Sequence, residues 1–163
     1  MHRSWPPILV LWFLGILAAA QFAKMSVIAP ILRTDFGLSL PQLGWLISLM
    51  EVGGAVFGLV SGLALARFGM RGFLLWGLAI LSAASLMQAF AATAPLLFAA
   101  RAIEGIGYVL VVIAAPTAIA ATADNQLRPR ALALWSTFVP VGIAAGGAIT
   151  GLAAGTLGMS GVM

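Results

Sequence analysis

Long apolar runs separated by short polar stretches organise the whole chain. A helix that crosses a bilayer needs about 20 mostly apolar residues. Five runs meet that length, at residues 8–31, 43–66, 73–92, 95–121 and 132–157. The separators carry turn and cap signals. "RTDFGLSLPQ" holds Arg33, Asp35 and a capping-box pair, Ser39 with Gln42. "RFGMRG" reads as a tight turn holding Arg67, Gly69, Arg71 and Gly72. "ATAP" offers Thr93 as an N-cap and Pro95 in a first turn. "ADNQLRPR" holds Asp124, Arg128 and Arg130, with Pro129 marking a helix boundary. Such short connections make consecutive helices antiparallel. The pattern therefore predicts an all-α polytopic membrane protein, five transmembrane helices in an up-down bundle, forming one domain over residues 1–163.

Composition makes the same demand. Of 163 residues, 63% are hydrophobic and 7% charged, against about 25% charged in soluble domains. A water-soluble body of this length has too little interior for that much apolar surface, so the solvent is lipid. A net charge of +4 raises the question of nucleic acid. The basic residues do not cluster, however; most flank apolar runs, where Lys and Arg set membrane orientation. Arg3, the Arg67/Arg71 turn and the Arg128/Arg130 loop fall on one side, and Arg33 alone on the other. That asymmetry predicts a cell-membrane protein with a cytoplasmic N-terminus. The start, "MHRSWPPILVLWFLGILAAAQ", has the layout of a signal peptide, but its apolar stretch continues to Leu32, the length of an uncleaved span. There is no cysteine, and His2 is the single histidine. No metal site, cofactor motif or catalytic constellation is visible, so the sequence does not read as an enzyme.

Four ionisable residues interrupt the spans: Lys24, Glu51, Arg101 and Glu104. Each costs about 2.5–3.5 kcal/mol at a span centre and is by default a functional candidate. At about 1.5 Å per residue, Lys24 and Glu51 lie about 10 and 12 Å in from one surface, and Arg101 and Glu104 about 9 and 14 Å from the same surface. All four occupy one slab. Arg101, Glu104 and Tyr108 share a helix face, as do Gln21 and Lys24. Two arrangements compete. In one, Lys24–Glu51 and Arg101–Glu104 salt bridges brace the bundle. In the other, these groups line a substrate or proton site. The uncharged third span reads as a peripheral, lipid-facing helix. Gly54, Gly58 and Gly62, and likewise Gly147, Gly151 and Gly155, have the four-residue spacing of close-packed helix faces. Trp5, Trp12, Trp45, Trp76 and Trp135 read mostly as an interfacial belt. Pro30, Pro116 and Pro140 read as kinks or ends.

Three segments resemble the major facilitator superfamily of transporters. "GLALARFGMR" is similar to that family's signature between helices 2 and 3. Gly62, Arg67, Gly69 and Arg71 match it, while Ala66 replaces the Asp that helps lock the cytoplasmic gate and Met70 replaces an Arg. "RAIEGIG" is similar to the helix 4 signature: Arg101, Gly105 and Gly107 match and Glu104 replaces Gln. "PVGIAAGGAITG" loosely resembles the helix 5 antiporter motif through Pro140, Gly146 and Gly147. The family has twelve spans in two halves, so the resemblance implies that these five helices are the N-terminal part of a larger transporter. It implies secondary transport of a small solute by alternating access, coupled to protons. Substrate-binding or coupling groups would come from Lys24, Arg101, Glu104, Glu51, Gln21 and Tyr108, and a gating turn from Gly62, Arg67, Gly69 and Arg71. Arg101 and Lys24 would suit an anionic solute; Glu104 or Glu51 would carry a proton. The partners would be the solute, the bilayer and the remaining helices, with no nucleic acid. The alternative is a small non-transporting membrane protein that assembles through its glycine faces.

Overall fold

The computed structural model describes residues 5–157; His2, Arg3 and residues 158–163 lie outside that range. The described chain is helical nearly throughout, as α1 (Trp5–Val27), α2 (Ala29–Phe36), α3 (Leu40–Ala89), α4 (Ala94–Thr122), α5 (Arg128–Trp135) and α6 (Phe138–Leu157). The long α3 contains two spans. It breaks at Gly69, whose φ of 76° and ψ of 157° lie outside helical space. A side chain rarely adopts that conformation, so the turn depends on glycine there. Among the described residues, five stretches are long and apolar enough to cross a membrane: Trp5–Val27, Leu40–Gly58, Arg67–Ala89, Ala94–Thr122 and Arg128–Ala154.

The ends of these helices follow local chemistry. The Ser39 hydroxyl accepts from the Gln42 N–H at 3.4 Å, and Gln42 Oε1 accepts from the Ser39 N–H at 2.8 Å, a complete capping box. Thr93 occupies the N-cap of α4 with extended backbone but makes no side-chain cap. Asp124 Oδ1 accepts from the backbone N–H groups of Gln126 and Leu127, shaping the turn into α5. Two predicted spans are interrupted by proline. Pro30 opens α2 after a break at Ile28, and Pro140 follows a turn at Ser136 and Thr137 that separates α5 from α6. Proline has no N–H and its ring crowds the carbonyl four residues earlier, so the helix before it loosens.

Consecutive spans run antiparallel. At one end, Ile8, Leu11, Ile119, Leu127 and Trp135 form a core around the start of α1, the end of α4 and α5. At the other end, Met25, Leu32, Leu38, Leu43 and Leu97 gather the end of α1, α2 and the starts of α3 and α4. Helix α4 lies between both arms of α3 and also meets α1, which packs along α6. The closest helix approaches differ from those the glycine spacing predicted. A Cβ added to Gly58, Gly62 or Gly151 would meet nothing within 4 Å, whereas one on Gly146 would fall 2.7 Å from Ala20 Cα and one on Gly142 2.7 Å from the Ile16 carbonyl oxygen. Spacing identifies small residues, but the rotation of each helix decides which of them meet a neighbour. Trp135 departs from the interfacial belt: it is buried, stacks on Phe138 with ring centroids 4.2 Å apart, and covers Gly15.

Candidate functional site

Arg101, Glu104 and Lys24 come together in the interior. Arg101 and Glu104 stand one turn apart on α4, and both have 0% exposure. The Arg101 guanidinium donates through Nη1 to Glu104 Oε2 and to the Gln21 carbonyl at 3.0 Å, and through Nε to the Leu46 carbonyl at 3.4 Å. Lys24 reaches across from α1 and donates to Glu104 Oε1 at 3.0 Å. The second arm of α3 completes the shell. Gln88 Nε2 donates to Glu104 Oε2 at 2.9 Å, and Ser85 Oγ lies 3.4 Å from Lys24 Nζ and 3.5 Å from Glu104 Oε1. One carboxylate therefore serves two cations and two neutral donors. The triad keeps one positive charge in excess. Arg101 Nη2 and Gln88 Oε1 are buried without a partner among the described residues.

The Lys24–Glu51 bridge considered from the sequence does not form; Lys24 pairs with Glu104, and the Arg101–Glu104 pair does form. Glu51 instead lines an open pocket with Phe22, Met50, Gly54, Tyr108, Val139 and Ile143, where α1, the first arm of α3, α4 and α6 converge. Glu51 itself is exposed. The Phe22 and Tyr108 rings meet edge to face, with centroids 4.8 Å apart at 89°. Gln21 contributes its carbonyl to Arg101, while the residue lines a separate crevice with Ser82 and Ser85 between α1 and the second arm of α3. At the opposite end of the bundle, Arg67 and Arg71 are exposed beside the Gly69 break.

Sequence reasoning missed Gln88, Ser85 and Phe22. Gln88 and Ser85 are neutral, and the absence of charge led the third span to be read as peripheral. That span does expose Leu75, Trp76 and Leu86, but its Gln88 is fully buried against the triad and its Ser85 half-buried. Two polar residues three apart in an otherwise apolar span are a usable signal, because they share a helix face. Phe22 gave no signal, since an aromatic residue in a span is unremarkable until its neighbour is known.

The chain matches the profile of the Major Facilitator Superfamily over residues 11–163. Among curated proteins it is 26% identical to the methylenomycin A resistance protein of Streptomyces coelicolor, over 88% of this chain and 30% of that protein. It is 26% identical to the arabinose-proton symporter of Escherichia coli, over 79% of this chain and 27% of the symporter. It is 30% identical to the lincomycin resistance protein of Streptomyces lincolnensis, over 93% of this chain and 32% of that protein. The chain thus spans only about a third of the length of these relatives.

Proposed function

Because the chain belongs to the Major Facilitator Superfamily, a family that points to a transporter rather than a catalyst, we propose that the protein carrying it is a secondary transporter for a small solute. It works by alternating access, is coupled to protons, and lies in the cell membrane with its N-terminus in the cytoplasm. Residues 1–163 form one transmembrane domain of it. The observation that carries this reading is the pocket at Glu51, where four helices converge on an accessible carboxylate within a candidate span. An ionisable group there is costly unless it serves a water-filled path. Of the two carboxylates considered for the coupling proton, Glu51 is the better placed. Glu104 must stay ionised to hold Lys24 and Arg101, whereas Glu51 has no cation beside it among the described ion pairs. Lys24 and Arg101 are sealed around Glu104, so they act by bracing α1 on α4 rather than by meeting an anionic solute. The turn of Gly62, Arg67, Gly69 and Arg71 is the gating element, and the Gly69 break gives its two arms a pivot. The name of the arabinose-proton symporter is consistent with proton coupling. In vesicles holding the intact protein, an imposed pH gradient should drive solute flux. Glu51→Gln should abolish the gradient dependence while leaving insertion intact, and a reporter after Ala94 should read outside. Flux that keeps its pH dependence in Glu51→Gln refutes the proton role.

A further inference from the structure

We infer that the Glu51 pocket binds an amphipathic organic cation, an inference that rests on the transport reading and names its substrate class. The walls define the ligand. Among the described residues, Glu51 is the charged residue that lines the space, and the rest of the lining is Phe22, Met50, Gly54, Tyr108, Val139 and Ile143. The cations nearest in the fold, Lys24 and Arg101, are 4% and 0% exposed and are held by Glu104, so neither presents a charge to the pocket. An anion would meet Glu51 without compensation. A small neutral polar solute would leave the apolar walls unused.

A delocalised or alkylated cation satisfies both. Its charge pairs with Glu51, and its apolar body lies on the Phe22 and Tyr108 rings and the Met50 thioether. Aromatic faces attract cations through their quadrupoles, most strongly where water is excluded. Methionine adapts to varied apolar shapes. Gly54 leaves room on the α3 wall: its nearest neighbour to an added Cβ is Val109 Cγ2 at 3.6 Å. The cavity, about 330 Å³, is at the small end of the range for ligand pockets. The excess positive charge of the triad opposes a cation, but a ligand in the pocket touches Glu51 directly, whereas Lys24 and Arg101 are buried and do not line the space.

Two ions of the same shape and opposite charge test this. Tetraphenylphosphonium and tetraphenylborate are each equilibrated by dialysis against the intact protein in nanodiscs, with binding to empty nanodiscs subtracted. The phosphonium should bind at least about tenfold more tightly than the borate. Glu51→Gln should weaken phosphonium binding about tenfold or more at unchanged melting temperature, Glu51→Asp should retain most of it, and Tyr108→Leu should lose a smaller factor. Equal or tighter borate binding overturns the inference, as does phosphonium binding indifferent to Glu51→Gln. Flux in vesicles is a separate readout. Glu51-dependent phosphonium binding without any solute flux leaves this inference standing and removes the transport reading. Solute flux without Glu51-dependent phosphonium binding does the reverse.

Discussion

Glu104 and Glu51 are two carboxylates at a similar level of the helix bundle with opposite surroundings. Glu104 is fully buried and accepts from Arg101, Lys24, Gln88 and Ser85. Glu51 is exposed, in a pocket walled by aromatic and aliphatic side chains. Both sit on helices that touch closely: a Cβ on Gly105, next to Glu104, would fall 3.1 Å from the carbonyl oxygen of Met50, next to Glu51. Position along the membrane normal therefore does not decide a charge's role. What decides is whether its helix face turns toward the α3–α4–α1 contact or toward the space between α1, α4 and α6.

The contrast breaks most easily at Glu104. Glu104→Ala leaves two buried cations without a counter-charge, which should cost about 3–5 kcal/mol of stability, read as a large fall in melting temperature and membrane abundance. Lys24→Met combined with Glu104→Gln should recover much of that loss, because it leaves the same single excess charge as the native triad. A double variant no more stable than Glu104→Ala means that Lys24 is not part of the brace. Gln88→Leu should cost less, about 1 kcal/mol, since it removes one hydrogen bond to Glu104 but also one buried acceptor that has no partner among the described residues. An unchanged melting temperature would take Gln88 out of the shell. Glu51→Gln should be the mildest, within about 0.5 kcal/mol, as expected of an exposed residue. A loss comparable to Glu104→Ala would erase the distinction between brace and pocket.

The fold was largely legible, because its determinants are local. Apolar run length gave the spans, Ser39 and Gln42 gave the start of α3, and Pro129 the start of α5. The site was half legible. Arg101 and Glu104 pair within one helix, so their spacing of three was sufficient. The bracing arrangement pairs Lys24 with Glu51 because depth can be counted along a sequence, whereas the rotation of α1 relative to α3 and α4 cannot. The same missing quantity explains why Gly58 and Gly62 stand free while Gly142 and Gly146 carry the α1–α6 contact. The Gly105 and Gly107 pair was readable as a motif. Its meaning required the structure: Gly105 meets Met50 on one arm of α3 and Gly107 meets Gly77 and Leu81 on the other.

Lys24 and Glu104 are 80 positions apart in the chain. A ribosome adding about 5–20 residues per second needs about 4–16 s to cover that interval. For that time the lysine is in or near the membrane without its counter-ion, and the apolar body of α1, with a mean hydropathy of 1.9, must retain it there. Arg101 and Glu104 emerge almost together, so α4 arrives with most of its own charge already balanced. The Lys24–Glu104 contact of α1 with α4 can therefore form only after α4 is made, and the packing of α1 along α6 comes later still.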